Sequence, residues 1–382
     1  MAEITESTYA ARREELSRRM DEAGVDLVFL PPSSDLEYLT GMQRRVPTFG
    51  NVGYAHHWVA GAFFARGADP VFVLPRMITE FDLPEGVTGE VVTVNETDDG
   101  RTEVASVLSR YAGTGTLAVG NRAWAESVVN LTELGRPERV VSAESLLNPM
   151  RRIKTEAELE QMTEACRIVD EVMAGIEPKV VPGVTEMEVA AEVAYQMKVA
   201  GSRTESFDTA VWGMGPGEER DATVRISRQP LRAGLGISFD FGAVVDGYCS
   251  DFGRTVHVGE PNEEYVEVHA LVMAAQAAGI AAVRPGATAA EVHAATRQVI
   301  VDGGYGDWFR HRTGHCIGLD VHELPYISEE DHTPLEEGMT FTIEPSVFWP
   351  GRVGARVEDV ILCTADGGRK LNEHPTTMVV ND

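Results

Sequence analysis

Lysine is nearly missing from this 382-residue chain: it occurs only at positions 154, 179, 198 and 370, and arginine supplies the remaining basic charge. Positive charge as a whole is scarce, with 33 lysines and arginines against 60 aspartates and glutamates and a formal net charge of −27. The acids are spread along the chain rather than gathered in a tail. Such a surface repels nucleic-acid phosphates and anionic membranes, so neither is expected as a partner. No unbroken apolar run of about 18 residues occurs, so no membrane span is expected. The N-terminal stretch MAEITESTYAARREELSRRM is charged and lacks the apolar core of a secretion signal. Cysteine is sparse and unpaired in sequence, at Cys166, Cys249, Cys316 and Cys363. That pattern is expected of reduced thiols in a cytoplasmic protein rather than of disulfides.

What is present is enough for two buried cores, since 43% of the residues are hydrophobic. Residues 1–145 alternate helical and strand-like patterns and are expected to form an α/β domain. Helical spacing runs over Glu6–Ala23. Short apolar runs follow at Asp26–Leu30, Trp58–Ala65, Pro70–Leu74, Gly89–Val94, Thr116–Gly120 and Arg139–Ser142. No catalytic constellation stands out among them. A boundary is expected near Asn148–Lys154, with a second domain over 146–382. A long helix opens it at Thr155, where Thr155 and Glu158 have the spacing of a capping box.

The second half repeats itself. PGVTEMEV at 182–189 matches PGATAAEV at 285–292, an offset of 103 residues, and each copy carries a Thr-x-x-Glu helix cap. Two copies of this length suggest a domain with pseudo-twofold symmetry. Acids fall on a similar offset: Asp240 and Glu344 are 104 apart, and Asp251 and Glu358 are 107 apart. Each stands in or beside an apolar strand-like segment, FDFG, CSDFGRTV, FTIEP or ARVEDV. A buried carboxylate is costly without a cation, and four aimed at one core repel one another. Two arginines, Arg254 and Arg356, cannot balance four carboxylates plus Asp359, which points to metal ions. Three histidines, His311, His315 and His322, lie in the glycine-bearing segment HRTGHCIGLDVHELP between the acid-bearing strands. An oxygen-rich set with one imidazole suits Mn²⁺, Co²⁺, Fe²⁺ or Zn²⁺. Two such ions about 3.5 Å apart would lower the pKa of a water and polarise a scissile carbonyl.

In these motifs the chain resembles the creatinase, prolidase, aminopeptidase P and methionine aminopeptidase family, with its pita-bread fold. The family pattern is D-x10-D, GHGIG, a second histidine seven residues on, IEP and G-x-R-x-ED. The sequence has Asp240 and Asp251, GHCIG at 314–318, His322, IEP at 343–345 and GARVED at 354–359. The match runs from about residue 145 to 380, and LEYLTGM at 36–42 resembles the N-terminal domain of the creatinase–prolidase branch. The resemblance implies an α/β (α+β) protein, with a creatinase-like N-terminal domain and a pita-bread catalytic domain. It implies a dinuclear hydrolase in which Asp251 and Glu358 bridge two divalent ions, manganese first among them. Asp240 would bind one ion, and His315 with Glu344 the other. Glu344 would also shuttle a proton, His322 would stabilise the tetrahedral intermediate or anchor the substrate, and His311 would line the pocket. Arg356 and Tyr248 would support these ligands from behind. The implied reaction is cleavage of the amide bond before proline in a small peptide, by a homodimer.

The sequence departs from the family at two places. Cys316 stands where glycine is usual, a side chain that could crowd the pocket or be oxidised. Thr223 stands 17 residues before Asp240, where the proline peptidases carry a substrate-binding histidine. That second departure keeps two other readings in play. One is a relative acting on a small non-peptide, by C–N cleavage as in creatinase or ectoine hydrolase, or by C–S cleavage as in the dimethylsulfoniopropionate lyase. The other is a non-enzymatic pita-bread binding module, which the filled ligand positions disfavour. Loss of one hydrogen bond costs about 0.5–3 kcal/mol, up to a hundredfold in kcat/KM. Thr223→His is therefore expected to raise the hydrolysis of Xaa-Pro peptides, and steady-state kinetics of both forms would check it; equal rates would make the departure neutral.

Overall fold

The short apolar runs of the first half become six strands. They are β1 (Leu27–Leu30), β2 (Gly61–Ala65), β3 (Val71–Pro75), β4 (Glu90–Val94), β5 (Thr116–Val119) and β6 (Arg139–Ser142). They form one mixed sheet in the order β4-β3-β2-β1-β5-β6. Between them lie α1 (Glu6–Ala23), α2 (Ser34–Thr40), α3 (Arg76–Phe81), α4 (Gly100–Ser109) and α5 (Ala125–Gly135). Helix α1 stops at Gly24, whose φ of 63° is the left-handed conformation that glycine adopts without strain. The run expected as one strand from Trp58 starts instead as a 3₁₀ turn over His57–Val59. Val59 and Ala60 donate back to the His56 and His57 carbonyls, and the ladder begins only at Gly61. Phe29, Phe63, Val73, Val104 and Leu131 fill the core of this unit, with the Phe29 and Phe63 rings 4.9 Å apart.

This computed structural model describes residues 4–44 and 55–382. The chain divides into two units, one of residues up to Arg151 and one of Arg152–Asp382. The division lies within α6 (Glu144–Arg152).

The second unit contains α7 (Glu156–Ile176), α8 (Glu186–Val199), α9 (Glu263–Ala282) and α10 (Ala289–Asp302). Helices α7, α8 and α10 open on complete capping boxes, Thr155 with Glu158, Thr185 with Glu188 and Thr288 with Glu291. Each cap contributes about 1 kcal/mol. The strands are β7 (Ala210–Met214), β8 (Leu235–Asp240), β9 (Val244–Val245), β10 (Tyr248–Cys249), β11 (Thr255–Val258), β12 (Gly314–Cys316) and β13 (Glu323–Ile327). They continue with β14 (Thr340–Ile343), β15 (Ser346–Trp349), β16 (Val353–Arg356), β17 (Asp359–Thr364), β18 (Gly367–Lys370) and β19 (Val379–Asn381). The two larger sheets have the orders β19-β11-β8-β7 and β13-β12-β14-β17-β18, and β9–β10 and β15–β16 form two-stranded pairs. The repeat is visible in the connections: Thr185 bridges Pro230 in the first half and Thr288 bridges Pro334 in the second. Hairpin β9–β10 turns at Asp246 and Gly247, both with positive φ (45° and 87°), the conformation of a tight two-residue turn. Strand β8 pairs past this hairpin with β11, Ser238 opposite Thr255.

By length and composition α9 is apolar enough to cross a membrane. It contains no unbroken apolar run of that length, because Glu263, Glu264, Glu267 and His269 interrupt its first half. Tyr265, Val268, Val272 and Ala275 on α9 pack in one cluster with Val347, Val353, Ala355 and Val357.

Helix α9 also buries His269, whose Nε2 has no hydrogen-bond partner among the described residues. Burial first, and the charge of Arg254 second, push its pKa down to about 4. A depressed histidine favours the folded chain fully above the unfolded value of about 6.5, and that contribution is lost as pH falls towards 4. Its full size is on the order of 3 kcal/mol. Thermal unfolding followed from pH 7.5 to pH 4.5 should therefore fall more steeply for the native chain than for His269→Leu; parallel curves would refute this.

Candidate metal centre

Four carboxylates and one imidazole meet between the two sheets of the second unit. Asp240 ends β8, Asp251 follows β10, His315 is the middle residue of β12, Glu344 follows β14 and Glu358 precedes β17. All five are buried. The Glu358 amide donates to the Gly253 carbonyl at 2.9 Å, which brings the Asp251 segment against the Glu358 segment. A Cβ on Gly253 would lie 2.9 Å from Glu358 Oε2 and 3.0 Å from the Phe239 carbonyl oxygen. Only a glycine leaves room there for the Glu358 side chain.

The charges are tightly coupled. His315 Nε2 lies 3.4 Å from Asp251 Oδ2 and 3.6 Å from Glu344 Oε1. Its Nδ1 lies 3.1 Å from the Cys316 carbonyl oxygen. Arg356 reaches Asp240 Oδ2 at 2.9 Å and pairs with Glu344. It also lies 2.9 Å from Glu358 Oε2, without hydrogen-bond alignment, since both Glu358 oxygens are without hydrogen-bond partners. Burial raises the pKa of Asp240, Glu344 and Glu358, and Arg356 only partly opposes it. Burial alone would lower His315, but its bond to Asp251 and the charges of Glu344 and Asp251 leave it raised. The three carboxylates lean towards protonation because burial outweighs Arg356, and His315 does so because anions face it.

Several of these donor atoms are therefore free for an ion. Asp251 Oδ1, Glu358 Oε1 and Glu358 Oε2 are buried and lack a hydrogen-bond partner. Among the described residues three groups offer donor atoms within 4.8 Å of one another: Asp251, His315 and His322; His315, Glu344 and Glu358; and Asp240, Asp251 and Glu358. Asp251 and Glu358 each belong to two of them. Orphaned carboxylate oxygens beside one imidazole are a donor set that fits a divalent cation.

The other candidate residues are dispersed around this cluster. The His322 ring is 4.0 Å from that of His315, and burial pushes its pKa down to about 4. His311 is pushed down to about 3 by burial and by Arg356; its Nε2 is 2.5 Å from Ser346 Oγ. Both imidazoles are neutral at pH 7. Tyr248 donates to Glu158 Oε1 at 2.8 Å, at the start of α7. Thr223 is exposed, and its amide donates to Asp221 Oδ1 at 3.0 Å. The Cys316 side chain packs into the hydrophobic cluster with Phe341 and Ile343. Burial pushes its thiol up to about 12, so it neither crowds the pocket nor offers a reactive thiolate.

Some pairings were not visible in the sequence. Arg254 pairs with Asp359 at 2.7 Å instead of with the cluster. The second cation at the cluster is Arg225, with Nη1 3.3 Å from Asp240 Oδ2 and its guanidinium 4.6 Å from the centroid of Trp212. Lys154 and Glu323 form a buried pair at 3.1 Å beside His322. An arginine two residues after Thr223 was the one available signal for Arg225.

Known proteins similar to this chain are peptidases and dipeptidases. Residues 160–365 match the family described as metallopeptidase family M24. The chain is 33% identical to a Xaa-Pro dipeptidase of Pyrococcus furiosus, over 95% of this chain and 97% of that one. It is 34% identical to a probable dipeptidase of Mycobacterium tuberculosis, over 97% and 96%. Among solved structures, a prolidase from Thermococcus sibiricus superimposes with a TM-score of 0.89 at 28% identity, covering 99% of this chain and 100% of that one. A dipeptidase from Pyrococcus horikoshii gives 0.87 at 29% identity, over 97% and 99%.

Arg356 is the only cation that touches three of the four carboxylates among the described residues. Removing one partner of a buried ionic cluster costs about 3–5 kcal/mol. Arg356→Met should lower the denaturant resistance of chelator-treated protein by that amount; an unchanged unfolding midpoint would mean the carboxylates need no cation.

Proposed function

The chain belongs to metallopeptidase family M24, and on that ground we propose that it is a dinuclear metal-dependent dipeptidase cleaving the amide bond before proline. The observation that carries this reading is the set of orphaned, buried oxygens on Asp251 and Glu358 beside His315. Asp251 and Glu358 would bridge two divalent ions, Asp240 would hold one, and His315 with Glu344 the other. When bound, the ions supply a more acidic water and a polarised scissile carbonyl. Manganese is the ion proposed first, with cobalt, zinc and iron as alternatives of similar donor preference.

The chain's own side chains do the remaining work. Glu344 takes the proton released as water attacks the carbonyl carbon and delivers it to the proline nitrogen as the C–N bond breaks. Its pKa, raised by burial against the pull of Arg356, suits both halves of that transfer. His322 is neutral, so it donates an N–H to the carbonyl oxygen as negative charge develops there, without bringing a proton of its own. His311, held between Ser346 and the Arg312 carbonyl, lines the pocket. Arg356 fixes the orientation of Asp240 and Glu344 from behind. Tyr248, through Glu158, buttresses the strand that leads to Asp251. A homodimer is the proposed form, and a cytoplasmic location is in keeping with four buried cysteines that form no disulfide.

A second reading is a small non-peptide substrate, favoured by Thr223 where proline peptidases have histidine. Elemental analysis should find close to two divalent ions per chain and loss of activity in chelator. Asp251→Ala and Glu358→Ala should lose the metal most completely, because a bridging carboxylate serves both ions. A panel of Xaa-Pro dipeptides with added Mn²⁺ decides the substrate; bound metal without cleavage of any proline peptide would hand the lead to the non-peptide reading.

A further inference from the structure

The loop between β7 and β8 presents a cation that the ligand set does not require. Ala210 pairs with Asp240 and Trp212 with Ser238 across β7 and β8. Directly opposed residues share a face of the sheet, so Trp212 stands on the same face as Asp240. Val211 and Phe239 point the other way, into the core. Trp212 is 1% exposed and meets Phe348 edge-on at 5.4 Å; Phe348 in turn stacks on His311 at 6.2 Å. An aromatic wall thus runs from His311 to Trp212, and Arg225 lies over its far end.

Arg225 differs from Arg356 in access. Its side chain is 41% exposed, against 7% for Arg356. Its Nε donates to the Ala222 carbonyl at 3.3 Å and its Nη1 to Asp240, while Nη2 makes no hydrogen bond among the described residues. The loop is anchored, because Arg310 takes both oxygens of Asp221, at 2.9 and 3.1 Å. Asp221 is held down to about 2 by that pair and by the Thr223 amide. The guanidinium is therefore presented from a fixed backbone and a rigid aromatic base.

Charge balance gives Arg225 a task beyond Asp240. Four carboxylates face two arginines in this cluster. Two divalent ions would turn that excess of negative charge into an excess of positive charge, with Asp240 committed to metal. An exposed guanidinium with a spare N–H edge then favours an anion, and its planar fork matches a carboxylate.

We propose that Arg225, stacked on Trp212, is a carboxylate-binding and specificity-determining residue beside the metal centre, so that the preferred substrates carry a free carboxylate close to the scissile bond. The inference rests on the dinuclear peptidase reading. The carboxylate has two possible sources, the C-terminus of a dipeptide or an acidic side chain.

The test uses Mn²⁺-loaded enzyme and two matched comparisons, Ala-Pro against Ala-Pro-amide, and Glu-Pro-amide against Gln-Pro-amide. In the native enzyme one of the two ratios of kcat/KM should favour the carboxylate by about 10- to 100-fold, as expected for charge-assisted hydrogen bonds. Arg225→Gln should bring that ratio to near one, and Arg225→Lys should restore part of it. The ratio that moves identifies the source. Calorimetric titration of the same loaded proteins with proline and prolinamide, and with the α-amides of glutamate and glutamine, reads the preference without turnover. If no proline peptide is cleaved, the peptidase reading fails while the binding ratios still judge Arg225. Ratios that are the same in native enzyme and Arg225→Gln, with equal melting temperature and metal content, would overturn the proposal, as would the absence of any carboxylate preference in the native enzyme.

Discussion

Four buried carboxylates meet in the second unit, three of them against Arg356, and their mutual repulsion is the constraint that the rest of the site answers. Asp240 and Glu344 come from corresponding places in two repeated halves, and so do Asp251 and Glu358. Each half brings two acids on strands that would be too polar to bury alone. Joined through the Gly253–Glu358 backbone bridge, the halves share the cost, with Arg356 set among three of the acids. The cluster lowers stability unless cations enter it, and that same deficit is what gives it affinity for divalent metal.

Chemistry then follows from differences in environment over a few ångströms. Carboxylates in the cluster are pushed towards protonation by burial, whereas His311 and His322, near Arg356, are pushed to the neutral form. The result is a proton-accepting acid beside uncharged N–H donors, the combination that hydrolysis of an amide needs. Arg225 stands outside this inner balance, on the exposed side, over an aromatic surface. The inner ring is suited to the reaction common to family M24, and the β7–β8 loop to the selection of what is hydrolysed.

Much of this was legible in the chain itself. Apolar runs of strand length, the helix over Glu6–Ala23 and the three Thr-x-x-Glu caps report local preferences, which depend on neighbours a few residues away. The acids and His315 were legible because a charged residue in an apolar strand is costly without a partner, and the repeat offset paired them. The 3₁₀ turn before Gly61 and the apolar character of α9 were less so. One depends on which carbonyls the turn can reach, and the other on counting a helix whose polar residues are collected near its start.

The sequence alone determined the two-part α/β architecture, the doubled order of the second half and the residue types able to hold metal, since periodicity, capping and the cost of buried charge are written in local order. Tertiary structure alone decided which arginine faces which acid. Arg254 and Arg356 look equivalent along the chain, yet Arg254 closes on Asp359 and Arg356 on the cluster, because their side chains leave the sheets towards different neighbours. The same applies to Arg225 over Trp212 and to Cys316 packing into the cluster with Phe341 and Ile343. Side-chain direction across paired strands depends on register between segments far apart in sequence, and a change of one residue in that register would reverse every face.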